Sequence, residues 1–149
     1  MKRILLFFLL LSNYSYSQIT EYEGFMNFAY NNDSGKIILE IKKLDDEFLY
    51  VNSLSRGVGN NDLGLDRGQL GNSRVVYFTK RGNKILLVQP NLKYISNSSN
   101  TQENKAVSEA FARSILFGFD IIEKNENNYK IDLTPFIIQD VHGVSQRLK

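Results

Sequence analysis

The sequence predicts an α+β domain, a mainly antiparallel β-sheet of hairpins with one packed amphipathic helix and a short C-terminal helix. Three observations carry this reading. Short apolar runs alternate with turn residues from Gly24 to Pro90. Small and apolar side chains recur at helical spacing from Ala106 to Gly118. Thr134-Pro135 has the form of a helix start, a hydroxyl at the cap followed by a fixed φ in the first turn.

In chain order, "GFMNFAY" (24–30) and "KIILEI" (36–41) flank "NNDSG", which is dense in turn formers, and predict a hairpin. After the charged "KKLDD", "EFLYVNSL" (47–54) reads as a third strand. "RVVYFTK" (74–80) and "KILLVQP" (84–90) enclose "RGN". Their β-branched and aromatic residues around a Gly-Asn turn predict a second hairpin, which Pro90 ends. The polar "SNSSNTQEN" leads into the helix, whose face is Ala106, Val107, Ala110, Phe111, Ser114, Ile115 and Gly118. Thr101 or a nearby Ser or Asn would cap it, Gly118 would end it, and its apolar side would pack on the sheet. "GFDIIEKN" and "YKIDL" form a last hairpin around "ENN", and the helix begun at Thr134 runs to about Gly143.

The N-terminus reads as a cleaved export signal over residues 1–17. Lys2 and Arg3 precede an apolar run from Ile4 to Leu11, and a small, polar exit follows. The run is shorter than the roughly 20 residues that span a bilayer. The mature chain, 18–149, is then one domain with a single core, exported to the periplasm or secreted, without a stable membrane anchor. Cysteine is absent, which excludes disulfides and a cysteine-linked lipid. Removing Lys2 and Arg3 from the 18 basic residues leaves 16, against 16 acidic ones. A neutral mature chain offers no electrostatic footprint for nucleic acid.

One loop stands out. "GNNDLGLDRGQLG" (59–71) is glycine-rich and charged, and a segment of that length points to a binding surface over 55–73. Asp62, Asp66, Arg67 and Gln69 are its candidate interface residues. Known glycine mechanisms fit poorly. Gly59 and Gly64 have P-loop spacing, but Leu65-Asp66 replaces the required lysine and hydroxyl. Gly57-Val58-Gly59 begins a dinucleotide fingerprint, yet Asp62 takes the third glycine position. Asn60, Asp62 and Asp66 offer oxygens to calcium, although Gly64 and Gly71 occupy ligand positions of a calcium-hand loop. The simpler expectation is tight turns with positive φ at Gly64, Gly68 and Gly71, and Asp66 paired with Arg56, Arg67 or Arg74.

Catalytic candidates are fewer. His142 is the single histidine, too few for a usual hydrolytic zinc centre, and no serine lies in a Gly-x-Ser-x-Gly turn. Asp45-Asp46 sits in a charged turn and reads as solvated. No catalytic, cofactor or metal residue is assigned.

Four stretches taken together carry a family resemblance: "EFLYVNSLSRGVGNNDLGLDRGQLG", "RVVYFTKRGNKILLVQPNLKY", "AVSEAFARSILFGF" and "IDLTPFIIQDVHGVSQRL". The chain resembles, over about residues 22–149, the N-terminal domain of large secreted zinc-dependent, zincin-like metalloproteases of Bacteroidetes-type bacteria. "LDRGQLG" is the most specific part. The resemblance implies a non-catalytic accessory or scaffold domain whose partner is the protease catalytic domain. Zinc and the His-Glu-x-x-His motif would belong to that downstream domain, since Gly143 follows His142 here. It also implies that the family's N-terminal region continues past the "GVSQRL" segment, so that this chain resembles a fragment, a truncated gene product or an unusually short stand-alone relative, and a piece of this kind would leave an open sheet edge. The alternative is a free-standing secreted module that binds peptide or protein partners through loop 55–73.

Overall fold

A computed structural model describes residues 18–126 and 128–149. The export signal expected over 1–17 lies outside the described residues. Eight strands form one antiparallel sheet: β1 (Ile19–Tyr22), β2 (Phe28–Asn31), β3 (Lys36–Ile41), β4 (Phe48–Tyr50), β5 (Arg74–Arg81), β6 (Lys84–Gln89), β7 (Ser114–Asn125) and β8 (Asn128–Asp132). Their spatial order is β1-β2-β3-β8-β7-β6-β5-β4. The chain thus lays down a three-stranded meander, crosses to the far edge at β4, and returns strand by strand until β8 docks beside β3.

The sheet curls into a half-barrel. Two register shifts in the long β7 help bend it, one opposite Leu87/Val88 in the pairing with β6 and one between Ile121 and Glu123 in the pairing with β8. Phe25, in the β1–β2 connection, lies 6.0 Å from Phe48 of β4, so the two ends of the sheet approach each other. Alternation then selects the core. Leu39 pairs with Ile131, Ile41 with Tyr129, Phe78 with Leu87 and Phe48 with Val76. Leu39, Ile41, Val76, Phe78, Ile85, Leu87, Phe119, Tyr129 and Ile131 form one buried cluster with Phe136. Phe136 belongs to the single-turn helix α2 (Thr134–Ile137), and its ring packs 5.5 Å from Phe117, 5.7 Å from Tyr50 and 6.0 Å from Phe119.

The β5–β6 and β7–β8 hairpins form where the sequence places them, with Gly82 supplying φ 58° at the first turn. Several elements differ from expectation. The β2 strand begins at Phe28, and β1 before it was not predicted. All four β1 residues are exposed and paired on one side alone, so no buried alternation marks them. The 47–54 strand shortens to Phe48–Tyr50, with an isolated bridge at Ser53.

The predicted 106–118 helix is corrected. Helix α1 (Thr101–Ala110) keeps only the N-terminal part of that prediction and is capped, as expected, by a nearby Asn, Asn100, whose Oδ1 accepts from the Gln102 amide at 2.9 Å. The helix buries no residue, so it is not the packed helix expected. Ser114–Gly118 instead open β7, where Ile115 and Phe117 pair with Val88 and Leu87. Pairing with β6 places Phe117 against the aromatic core, which outweighs the accidental helical period of the "AVSEAFARSILFG" stretch.

The C-terminal helix is two single turns, α2 and α3 (Val144–Arg147), separated by Gly143 at φ 65°. Thr134 does not cap α2 with its side chain: its hydroxyl accepts from the Ile37 amide of β3 at 2.8 Å, and the Leu133 amide donates to the Ile37 carbonyl at 2.8 Å. No helix among the described residues is long and apolar enough to cross a membrane.

Candidate functional site

The glycine-rich segment is an irregular hairpin closed on itself. The Gly71 amide donates to Asn52 O (2.8 Å), Leu54 N–H to Gln69 O (2.9 Å), Gly68 N–H to Leu54 O (2.7 Å) and Val58 N–H to Leu65 O (3.1 Å). A 3-10 turn at Asn61–Leu63 forms its tip, and Leu65 is buried beneath it. Gly59, Gly64 and Gly68 have φ of 76°, 60° and 81°, a region that a Cβ disfavours. Two of the three positive-φ glycines expected are therefore found.

Gly71 is the correction. Its φ is not positive; it is small because the Asn52 carboxamide lies where a Cβ would project. That carboxamide reaches His142, with Nδ2 at 2.9 Å from Nε2. The amide donates when that ring nitrogen carries no proton. Nearby, Arg147 Nη1 donates to the carbonyls of Leu63 (2.9 Å) and Gly64 (3.4 Å). The C-terminal segment is thus strapped across the loop at two points, a relation between residues 83 to 90 positions apart that local spacing does not encode.

Asp140 organises that strap. Its Oδ1 accepts from the Val144 amide at 2.9 Å, and its Oδ2 from the Ser145 amide at 2.9 Å and hydroxyl at 2.8 Å. The Ser145 amide, then its hydroxyl and the Val144 amide, hold the carboxyl below the usual aspartate range.

The four predicted interface residues do not converge on a ligand. Gln69 Oε1 accepts from the Asp66 amide at 3.3 Å, and the Asp62 amide donates to Asn60 Oδ1 at 3.0 Å, so these contacts stabilise turns. Asp66 makes no ion pair with Arg56, Arg67 or Arg74, contrary to the expected pairing. Backbone hydrogen bonds and the Arg147 contacts to loop carbonyls, rather than ion pairs, hold the loop. Among the described residues no group of three or more His, Cys, Asp and Glu is placed to hold a metal ion. His142, the single histidine of the chain, is engaged by Asn52.

A second polar cluster lies on the outer face of β3, β7 and β8. Glu40 accepts from Asn128 and, at 3.2 Å, from Asn27, and pairs with Lys42 at 3.2 Å. The Asn128 amide is the largest influence lowering its pKa. Glu123 and Lys130 pair at 2.9 Å, which lowers the first pKa and raises the second. These cross-strand pairs lie on a solvated sheet face and fix register more than they build a site.

Several exposed aliphatic residues adjoin the strap in sequence. Val51 and Leu70 flank the Asn52–Gly71 contact in sequence, Val141 adjoins His142, and Ile138 and Leu148 bracket the same segment; all five are exposed, Ile138 at 77% and Leu70 at 69%. None of these residues is among the four interface residues that the sequence suggested. Val51 was read as part of the 47–54 strand and Ile138 and Val141 as part of the helix from Thr134, so their exposure carried no signal in the sequence.

Neither the curated proteins nor the solved structures contain a significant match to the chain. Residues 68–149, more than half of the chain, match the family described as a domain of unknown function, DUF5117; this segment begins within the "DRGQLG" run and includes β5 through α3, and the chain belongs to that family.

Proposed function

We propose that this chain is a non-catalytic accessory domain of a secreted zinc-dependent metalloprotease, docking through the strap region against the protease catalytic domain. The observation supporting it most directly is the exposure of Val51, Leu70, Ile138, Val141 and Leu148, aliphatic residues close in sequence to the strap contacts of Asn52, Gly71 and His142. Exposed aliphatic residues carried on backbone fixed by hydrogen bonds form a preorganised surface for a folded partner. The resemblance of the "LDRGQLG" loop and the "GVSQRL" segment to such proteases supplies the partner's class.

The test compares hydrogen exchange in the isolated 18–149 domain with exchange in a full-length polypeptide that joins it to a His-Glu-x-x-His domain. Protection at 49–53, 68–72 and 137–148 only in the longer chain is the expected outcome. Equal exchange in both refutes the docking reading. The free-standing module is the second reading, favoured by the self-contained order of the loop. It predicts instead that alanine at Arg67 weakens capture of a peptide partner without changing stability.

A further inference from the structure

Helix α1 buries none of its residues, yet it is not detached. It borders an open cleft of about 550 Å³ on the outer face of β5. The floor is Tyr77, a β5 residue that is buried although it points away from the core cluster. Its hydroxyl receives Arg113 Nη1 at 3.0 Å, which places a guanidinium at the cleft wall with donors beyond the one Tyr77 uses. Tyr94 and Phe111 stack at 4.3 Å along another wall, both partly exposed.

Asp45 and Glu47, from the β3–β4 connection, complete the lining. Asp45 holds φ 60°, rare for a residue other than glycine, and its amide donates to Phe78 O at 2.7 Å. Neither acid, nor Arg113, joins an ion pair among the described residues; the neighbouring Asp46 does, with Lys43 at 3.5 Å. Lys93, adjoining the wall residue Tyr94, sits 5.4 Å over its ring. One cleft therefore carries a fixed cation, two carboxylates that do not neutralise it, and an aromatic wall.

We infer that this cleft binds a small zwitterion with an apolar body, of the amino-acid or short-peptide class. The ligand carboxylate meets Arg113, its ammonium meets Asp45 and Glu47, and its apolar body lies on the Tyr94–Phe111 pair. This goes beyond the proposed docking role and uses a different face of the sheet.

The test is a chemical-shift titration of the 18–149 domain with Ala-Phe, its N-acetyl form, its C-terminal amide, and free phenylalanine. Saturable shifts at Tyr77, Tyr94 and Phe111 are expected for at least one of the two zwitterions at millimolar concentration, and their relative affinity separates peptide from amino acid. Each blocked form should bind more weakly than Ala-Phe by up to about fivefold if the peptide is the ligand, the upper limit for an exposed charge pair. Arg113→Gln should erase discrimination against the amide alone. Asp45→Asn, which retains a side chain tolerant of positive φ, combined with Glu47→Gln should erase discrimination against the acetyl form alone. Unchanged unfolding midpoints for these surface variants show that each folds. No saturable shift with either zwitterion, or an amide that binds as well as Ala-Phe to the parent protein, overturns the inference.

Discussion

Gly71→Ala tests whether the strap across the loop is a structural unit. A Cβ at Gly71 would overlap the Asn52 carboxamide, with Nδ2 at 2.7 Å and Cγ at 2.8 Å. Those atoms are the end of a movable side chain, so the expected response is rotation of Asn52 away from His142, not collapse of the loop. Losing a part-buried hydrogen bond of this kind costs about 0.5 to 1.5 kcal/mol. Gly68→Ala is the control. Its Cβ would meet open space, but φ is 81°, so strain of roughly 1 to 2 kcal/mol falls on the backbone alone, partly offset by the stiffer unfolded chain. The two variants should thus have similar urea midpoints and different causes. Because His142 is the only histidine, its imidazole NMR resonances report the contact without ambiguity. They should move in Gly71→Ala and stay in place in Gly68→Ala. An Asn52→Ala and His142→Ala cycle should give a coupling of about 0.5 to 1.5 kcal/mol. Unmoved His142 resonances in Gly71→Ala, or zero coupling, would refute the reasoning.

Phe136→Ala removes the ring that packs against Tyr50, Phe117 and Phe119, and denaturant unfolding should show a loss of about 3 to 5 kcal/mol; a loss below about 1 kcal/mol would mean that α2 is not part of the core. Millimolar calcium should leave the melting temperature unchanged relative to chelator, because backbone hydrogen bonds hold the loop; a rise lost in both Asp62→Ala and Asp66→Ala would make those acids ligands. The folded Asp140 pKa is lowered, so its contribution is present above the unfolded value of about 3.9 and is lost as pH falls through the folded value. The Val144 and Ser145 amide resonances should therefore shift on acidification below about pH 4, and Asp140→Asn should remove that transition.

The hairpins were legible because their information is local. Arg74–Arg81 and Lys84–Gln89 carry alternation, β-branching and a glycine turn within one short window. Ser114–Gly118 was misread because its apolar residues also fit a helical period, and what decides between the two is a partner strand, β6, that local sequence does not name. Thr134 was misread for a related reason. Its hydroxyl was available for a local cap, but the backbone amide of Ile37, 97 residues away, has the stronger claim as a half-buried donor. At the loop, glycines with positive φ were readable from composition and spacing. The need for a bare backbone at Gly71 was not, because it arises from Asn52 and, through it, from His142.

The same long-range contacts bear on where the folded unit begins. The family match covers 68–149, which includes β5 to β8 and the strap but leaves out β1 to β4. Within the sheet, β8 pairs with β3, and the core cluster joins Leu39 and Ile41 to Tyr129 and Ile131 across that seam. Thr134 and Leu133 bond to Ile37 on the same strand, and Phe48 of β4 packs 5.4 Å from Phe78. A unit beginning at residue 68 would expose Ile131, which is now fully buried, and leave the β8 edge unpaired. It would also lose Asn52, and with it the partner that fixes His142. The boundary of the family match is therefore not the boundary of the fold. The N-terminal meander and the first arm of the loop hairpin belong to the same cooperative structure as the matched segment, and the set of residues proposed for docking exists only when both are present, since Val51 comes from one and Leu70, Ile138, Val141 and Leu148 from the other.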